Sequence, residues 1–299
     1  MNKAVTLLFL VVLIGVLLKV VLPFMDSSPY EITEDANGVP IVDYGWLMGK
    51  HVGKQRYPVT IAARGDKYYS YYLETGNKEF LEKFLNIVGW LEENKLEVDN
   101  AIVFPAEFPY PFYGCEKGWS SAMAQGFAIK NFLNAYNVTG DSRYMELASK
   151  SVSAYGIEVS DGGLLYVDPS DNGYWYAEYG CGTPPRVLNG FWYALDGLYY
   201  YHIETGDSEA KELYDRGVLE LKKHLKEFDT GEWTYYDLER YPSTENYHDL
   251  HVEIMQKLYL ETNESIFLEY RNKWEKYEYS EKRFNIMLNR NLVKKYFRI

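Results

Sequence analysis

The sequence predicts an all-α protein: an incomplete α/α toroid of about four helical hairpins, with β-hairpin loops at its mouth. Two observations predict this fold. A turn signal recurs four times at a nearly constant spacing, and the segments before and after each turn differ in composition as inner and outer helices do. An open solenoid of helical hairpins is the alternative way to arrange the same units.

The recurring turn signal follows the pattern Thr-Gly or Thr-Asn. The four turn residues are spaced 64, 66 and 57 residues apart, and each is followed by Asn, Asp or Glu. A Gly or Asn at such a place ends a helix in the left-handed conformation, and the polar residue after it begins the next helix. The turns lie in YYLETGNKEFLEKF, NAYNVTGDSRYMEL, YYHIETGDSEAKEL and LYLETNESIFLEY, at Gly76, Gly140, Gly206 and Asn263.

The helices before the turns are rich in small and aromatic residues, whereas those after the turns alternate charged and apolar residues. Gly190, Ala194, Gly197 and Tyr201 share one helical face, which favours close approach between inner helices. The predicted inner helices span 57–75, 119–138, 187–205 and 245–261, and the predicted outer helices span 77–95, 141–156, 207–226 and 264–279.

Long connections run from each outer helix to the next inner helix, over about 96–118, 157–186 and 227–244. All three emerge at the end of the ring opposite the tight turns, which we call the mouth, and long loops on a rigid scaffold commonly carry function. Two of these connections contain predicted β-hairpins, which turn at Asp168–Gly173 and at Thr230–Gly231.

The toroid is assigned to residues 57–280, with 26–56 as a linker and N-terminal segment and 281–299 as a basic tail. Residues 1–25 are assigned as a membrane anchor, since an apolar run from Ala4 continues, with one lysine, to Phe24. Lys3 before the run and acidic residues after it predict a single-pass protein whose domain lies outside the cytoplasm. A cleaved signal peptide is the alternative.

The net charge of the chain limits the classes of partner that it can bind. The chain has a net charge of −12, which argues against nucleic acid. The tail 281–299 holds six Lys or Arg and one Glu, so it carries +5 and the remainder carries −17. Its apolar stripe of Phe284, Met287, Leu288 and Leu292 is expected to pack against the domain, with contact to an anionic membrane as the alternative.

Outside the cytoplasm, Cys115 and Cys181 are expected to form a disulfide, because both lie in mouth loops; two reduced, buried cysteines are the alternative.

Glu178 is the leading candidate for chemistry at the mouth. It lies at the end of a predicted hairpin, just before a Thr-Pro-Pro helix start, in the motif WYAEY. Tyr179 is next to it, Tyr236 ends the predicted hairpin of the third connection, and Tyr247 lies at the start of the last inner helix. Aromatic rings with a few polar groups suit carbohydrate, whose ring faces stack and whose hydroxyls form hydrogen bonds.

Arg186 stands in the first turn of an inner helix, where a cation opposes the helix dipole. This position predicts an anion nearby: a substrate carboxylate, or alternatively an Asp or Glu of the protein. The candidate substrate-binding set comprises Arg186, Asn189, Arg240, His248, His251 and Trp175.

His248 and His251 share one helical face, but no other histidine completes a convincing metal site, so neither a metal nor a cofactor is expected. A phosphate-binding loop and a nucleophile elbow are also absent from the sequence.

Four motifs together resemble the C-terminal catalytic domain of D-glucuronyl C5-epimerases. They are GWSSAMAQG (118–126), WYAEY with TPPRVLNGF (175–191), DTGEWTYYDL (229–238) and NYHDLHVEIMQKL (246–258), within a resemblance from about 57 to 279. The Tyr-Asp-Leu-Arg of the family reads Tyr-Asp-Leu-Glu-Arg here, so its arginine is displaced by one position, to Arg240.

The resemblance implies an α/α barrel and the conversion of glucuronate to iduronate within a glycan, and it leaves a homodimer open. It assigns catalytic roles to Glu178, Tyr179, Tyr236 and Tyr247. Inverting C5 requires a proton to leave one ring face and another to arrive on the opposite face, and Glu178 and Tyr247 are the expected pair. The alternatives on the same scaffold are a uronate lyase, a glycoside hydrolase using Asp168 or Asp237 as second carboxylate, and a glycan-binding toroid without activity.

Overall fold

A computed structural model describes residues 30–288. Eight α-helices form four hairpins, and the inner helix of each hairpin precedes its outer helix, as the sequence predicts. The inner helices are α1 (Pro58–Thr75), α3 (Ala122–Thr139), α5 (Leu188–Thr205) and α7 (Glu245–Thr262), and the outer helices are α2 (Lys78–Glu93), α4 (Ser142–Ser153), α6 (Ser208–Phe228) and α8 (Ser265–Trp274).

Every Thr-Gly or Thr-Asn turn is built from the same hydrogen bonds. Gly76, Gly140, Gly206 and Asn263 all have positive φ, between 55° and 74°, and each donates its N–H to the carbonyl four residues earlier. The hydroxyl of the preceding threonine accepts a bond of 3.2 Å from the N–H two residues later. The repeat therefore reflects a turn whose geometry is determined locally.

Neighbouring inner helices pack directly on one another: α1 on α3, α3 on α5, and α5 on α7. The approach of α3 to α5 is closest at Gly126 and Gly197. A Cβ atom on Gly126 would lie 2.1 Å from the Tyr193 carbonyl oxygen, and one on Gly197 would lie 2.4 Å from the Cα of Gly126. Small residues on the shared face thus allow backbone contact, as predicted.

Lys130 links three inner helices. Its Nζ, from α3, lies 3.1 Å from an Asp196 oxygen on α5 and 3.7 Å from an Asp66 oxygen on α1. Asp196 is one helical turn beyond Tyr193, on the side of the Thr-Gly turns. This partly buried ion cluster therefore connects the inner helices below the mouth.

Short β-elements occupy the mouth. The N-terminal segment forms a three-stranded antiparallel sheet, and the predicted hairpin at Asp168–Gly173 is present. The predicted hairpin at Thr230–Gly231 has its turn, with Gly231 at φ 88°, but its arms form only isolated bridges. The strands are Glu31–Glu34, Pro40–Asp43, Trp46–Leu47, Lys50–His51, Lys54–Gln55, Leu96–Val98, Ala101–Val103, Pro105–Ala106, Trp119–Ser120, Leu165–Val167 and Tyr174–Tyr176.

Three helix boundaries differ by more than two residues from those expected. The second outer helix ends at Ser153 rather than at 156, because Ala154–Gly156 form a 3-10 helix. The second inner helix begins at Ala122 rather than at 119, because Trp119 and Ser120 pair as a strand with Pro105–Ala106. The last outer helix ends at Trp274 rather than at 279. All three differences lie at helix ends.

The two ends of the described chain meet at the mouth. Residues 281–288 are helical, and Phe284 and Leu288 border the same cavity as Tyr30. This part of the predicted apolar stripe thus packs on the domain, as expected. Between residues 30 and 288, no helix is both long enough and apolar enough to cross a bilayer. The predicted anchor (1–25) and residues 289–299 of the tail lie outside the described residues.

We predict that Gly126→Ala lowers the free energy of unfolding by at least about 2 kcal/mol, because the added methyl group would overlap the Tyr193 carbonyl and force α3 and α5 apart. Gly89→Ala is the matched control, since a Cβ there meets no atom within 4 Å and alanine favours a helix by up to about 1 kcal/mol. Unfolding of the full chain in detergent, followed by circular dichroism, measures both. Equal effects of the two substitutions would contradict the close helix contact.

Candidate active site

Glu178 is held between a hairpin and an inner helix. Ala177 donates its N–H to the Leu164 carbonyl at 2.9 Å, and Gly180 donates to the Ser120 carbonyl at 2.9 Å, so the backbone on both sides of Glu178 is fixed. The side chain lies over Gly190 of α5, where a Cβ atom would be only 2.0 Å from Glu178 Oε2. Residue 190 must therefore be glycine for Glu178 to occupy this place.

The Glu178 carboxyl is almost completely buried, with 4% of the residue exposed. Burial raises its pKa to about 7 and the negative charge of Asp237 adds to this, while hydrogen bonding from Tyr179, Tyr236 and the Gly190 N–H opposes it. Tyr236 donates its hydroxyl to Oε1 at 3.4 Å, whereas Oε2 has no hydrogen-bond partner of normal geometry. Near neutral pH this carboxyl is poised to gain or lose a proton.

The three predicted catalytic tyrosines surround this carboxyl. The Tyr179 ring stacks on Tyr110, with centroids 4.9 Å apart, and the Tyr236 ring lies 4.9 Å from the Tyr247 ring in an edge contact. Burial, with the charge of Glu178 second, raises the pKa of Tyr247 to about 12 and those of Tyr179 and Tyr236 well above the usual value. All three phenols are therefore neutral hydrogen-bond donors at neutral pH.

Two adjoining cavities open at these residues. One of about 490 Å³ is bordered by Tyr179, Tyr236 and Tyr247, and one of about 340 Å³ is bordered by Glu178, Tyr179 and Tyr247. They share four tyrosines, so we describe them together as the cleft. The four shared residues are Tyr30, Tyr110, Tyr179 and Tyr247.

The cleft is rich in phenols and poor in charge. Among the described residues that line it, Glu178 is the one acidic side chain, and none is Arg, Lys or His. Asn189 also lines it, is 2% exposed and has an Oδ1 atom without a hydrogen-bond partner. Glu178 Oε2 and Asn189 Oδ1 are thus two buried oxygen atoms that can accept hydrogen bonds from ligand hydroxyl groups.

The third inner helix begins at Leu188, so Arg186 precedes it and does not lie in its first turn, and the Thr-Pro-Pro segment does not start the helix. The structure favours the alternative prediction for Arg186. Its guanidinium lies 2.6 Å from an Asp168 oxygen and 3.4 Å from His224 Nε2, and it does not line the cleft. Hydrogen bonds from Ser170, with a smaller effect of Arg186, hold the pKa of Asp168 below its usual value. The anion that the sequence predicts near Arg186 is therefore a carboxylate of the protein.

Trp175, another candidate for substrate binding, is fully buried and stacks on Phe191 with centroids 3.9 Å apart. In a strand, successive side chains point to opposite faces, and Trp175 points into the core. Trp175 is therefore a core residue and is not a surface on which a sugar ring could stack.

His248 and His251 also lie in the interior, away from the cleft. His248 is within hydrogen-bond distance of Thr234 and of the Trp274 carbonyl, at 2.9 and 3.1 Å. His251 is fully buried, which lowers its pKa to about 3, and its Nδ1 is 3.2 Å from the Thr234 hydroxyl. These neutral imidazoles connect α7 to the third connection and to the end of α8.

Arg240 is exposed on the turn that follows Asp237. It has a φ of 69° and donates its backbone N–H to the Asp237 carbonyl at 3.0 Å. The next two residues, Tyr241 and Pro242, line the cleft, but Arg240 is not among the lining residues. Within residues 30–288, no group of three or more His, Cys, Asp or Glu side chains is arranged to hold a metal ion.

Several cleft residues were not predicted from the sequence. Tyr57 precedes α1, Tyr110 stacks on Tyr179, and Tyr193 lies four residues after Asn189 on the same helical face. Of these three, only Tyr193 could have been predicted to line the cleft, from its spacing of four residues after Asn189. With thirty tyrosines in the chain, composition could not distinguish the others.

Cys115 and Cys181 form the expected disulfide, with Cα atoms 5.5 Å apart. Tyr110 and Cys115 pair by backbone hydrogen bonds of 2.8 and 3.1 Å, and Cys181 lies two residues after Tyr179. The bridge therefore joins the two chain segments whose tyrosine rings stack in the cleft.

Structural comparison places the chain among α/α toroids. The GH76 alpha-mannanase of Bacteroides thetaiotaomicron superposes with a TM-score of 0.52 at 14% identity, over 82% of this chain and 63% of that one. A D-mannose isomerase superposes with a TM-score of 0.51 at 10% identity, over 79% of this chain and 59% of that one. At these identities the similarity establishes the fold, and this chain spans less than two thirds of either protein.

Within that class, the chain belongs to the D-glucuronyl C5-epimerase C-terminus family, which it matches over residues 98–276. It is 32% identical to the uncharacterised protein MJ1128 of Methanocaldococcus jannaschii, over 84% of this chain and 86% of that one. It is also 32% identical, over 184 aligned positions, to the D-glucuronyl C5-epimerase of Caenorhabditis elegans, and this match covers 55% of this chain and 30% of that enzyme.

We predict that replacing both cysteines by serine lowers the free energy of unfolding by about 4 kcal/mol, the value expected for releasing a loop of this length. The two cysteines are 66 positions apart in the sequence. We also expect weaker glycan binding, because Tyr110 and Tyr179 would no longer be held together. Chemical unfolding and calorimetric titration measure the two effects. If neither stability nor binding changes, the bridge does not constrain the cleft.

Proposed function

We propose that the protein inverts C5 of D-glucuronate residues within a glycan and so produces L-iduronate. One observation carries this proposal. A buried carboxyl with a pKa near 7, Glu178, and a phenol, Tyr247, line the same cavity, and Tyr236 contacts both. Membership of the C5-epimerase family supports the same reaction.

The reaction requires two proton-transfer groups on opposite faces of the sugar ring. In one direction, ionised Glu178 takes the C5 proton and neutral Tyr247 protonates the other face. In the reverse direction, tyrosinate is the base and the protonated Glu178 is the acid. These two starting forms hold the same total number of protons and differ only in where the proton resides.

Removal of the C5 proton spreads negative charge over the substrate carboxyl group. The described lining offers phenol hydroxyls as neutral donors toward this charge. Donors that are already in place stabilise a developing oxyanion without reorganisation. We assign this role to Tyr179 and Tyr236, which line the cleft, and Asn189 Oδ1 is available to accept a bond from a sugar hydroxyl.

The geometry supports the activity of a glycoside hydrolase less well than that of an epimerase. Such an enzyme needs a second carboxyl group across the scissile bond. Asp168 is paired with Arg186 outside the cleft. Asp237 is fully buried and accepts bonds from Tyr113 Oη at 2.5 Å and the Tyr241 N–H at 3.1 Å, and it does not line the cleft.

The proposal includes the location of the domain. We place it outside the cytoplasm, on a single membrane anchor formed by residues 1–25, on the basis of the apolar run and its flanking charges. The disulfide is consistent with that compartment.

The reaction can be tested by incubating the full chain with glucuronate-containing oligosaccharides in heavy water. We expect deuterium at C5 and accumulation of iduronate, with no change in chain length, because the proton that leaves and the proton that arrives come from different groups. A lyase would shorten the chain and form an unsaturated uronate, and a hydrolase would shorten it without unsaturation. A binding protein would leave the glycan unchanged.

Glu178→Gln and Tyr247→Phe should each reduce epimerisation by at least ~100-fold, the usual contribution of one acid–base group, while glycan binding persists. Glu82→Gln and Tyr72→Phe, at two residues that do not line the cleft, are matched controls that should retain activity. Full activity in both cleft variants would exclude Glu178 and Tyr247 as the proton-transfer pair.

We also predict a pH dependence with one acidic limb near pH 7. Below the pKa of Glu178, about 7, both groups are protonated and kcat/KM should fall about tenfold per pH unit. The forward and reverse reactions should share this limb, because their starting forms hold the same total number of protons. Initial rates of deuterium incorporation, measured from either epimer between about pH 5 and 9, test this. A rate that is independent of pH below about 7 would contradict the role of Glu178.

A further inference from the structure

Four exposed apolar side chains line the cleft or lie close in sequence to residues that line it. Tyr30, Ile32, Trp46 and Ile286 have exposed fractions of 46%, 48%, 67% and 43%. Each is a cleft residue itself or lies within two positions of one: Tyr30 and Ile32 line the cleft, Leu47 follows Trp46, and Phe284 and Leu288 flank Ile286. We call Tyr30, Ile32, Trp46 and Ile286 the apolar rim.

The length of chain before Tyr30 limits how far the rim can lie from the predicted anchor. The apolar run ends at Phe24, and six residues span at most about 21 Å when fully extended. The inner helices have 18 residues each, which corresponds to about 27 Å. Of the two ends of the toroid, the mouth is therefore the one held near the bilayer.

The positive charge of the C-terminal segment supports this orientation. The segment 281–299 carries +5 on a chain whose other residues carry −17, and its described part already borders the cleft at Phe284 and Leu288. Basic residues next to an anionic lipid surface contribute about 1 kcal/mol each. Exposed Trp and Tyr side chains are also typical of the interface between lipid and water.

We propose that the mouth of the toroid faces the membrane, with the apolar rim in the headgroup region, and that the substrate is a glucuronate-containing glycan carried on a lipid of that membrane. This proposal rests on the proposed function and on the predicted anchor. A sugar chain that rises from the bilayer enters the cleft directly, and confinement to one surface raises its effective concentration at the site.

The orientation can be tested by fluorescence quenching at Trp46. The full chain is inserted into vesicles of phosphatidylcholine and phosphatidylglycerol, with or without bromine on the lipid chains near the headgroup. The difference in emission between wild type and Trp46→Phe isolates Trp46, and we expect brominated lipid to reduce this difference by at least half.

A tryptophan at the opposite end of the toroid is the matched control. Ile203 is 58% exposed and lies three residues before the turn at Gly206, so Ile203→Trp in the Trp46→Phe background should not be quenched. Equal Trp46 emission in brominated and plain vesicles would overturn the orientation, as would equal quenching at the two positions.

The substrate can be tested with one glucuronosyl oligosaccharide in two forms, free in solution and attached to a lipid tail in the same vesicles. We expect wild type to prefer the lipid-linked form. The double variant Trp46→Ser/Ile286→Ser should reduce its turnover at least ~5-fold and leave that of the free form within about twofold. Leu73→Ser/Ile203→Ser, at the far end, should change neither.

The proposal of a lipid-linked substrate fails if wild type shows no preference for that form, or if the rim variant affects both forms equally. If wild type epimerises neither form, the proposed function fails instead, and the quenching experiment still decides which way the mouth faces.

Discussion

The contact between the Glu178 carboxyl and Gly190 is the constraint on which the site depends. The carboxyl occupies the volume that any other side chain at position 190 would fill, and the hairpin that carries it is fixed by backbone hydrogen bonds on both sides. An acid held in this way is buried without a cation beside it. Its pKa of about 7 instead of 4.5 corresponds to roughly 3 kcal/mol against ionisation.

This burial explains why phenols suit the cleft better than cations do. An arginine beside Glu178 would stabilise its ionised form and lower the pKa, which would make it a weaker base near neutral pH. The structure instead pairs Arg186 with Asp168 outside the cleft and surrounds Glu178 with neutral tyrosines. The burial of Glu178 among neutral tyrosines thus accounts for both its strength as a base and the composition of the cleft.

The two ends of the toroid have different roles. Toward the Thr-Gly turns, Lys130 links three inner helices through Asp66 and Asp196, and the turns themselves are short. Toward the mouth, the disulfide and the stacked rings of Tyr110 and Tyr179 join two separate connections. The long connections can therefore shape a cleft at the mouth while the helices below remain a rigid support.

The four hairpins can be predicted from the sequence, because each Thr-Gly or Thr-Asn turn is made by hydrogen bonds among residues close in the chain. The sequence also predicted that Glu178, Tyr179, Tyr236 and Tyr247 would meet at the mouth and that the two cysteines would pair. The neighbours of the remaining side chains become clear only in the folded protein. Arg186 meets Asp168, Trp175 and His251 turn into the core, and Tyr110 reaches Tyr179. These choices depend on contacts between segments far apart in sequence, which local spacing does not encode.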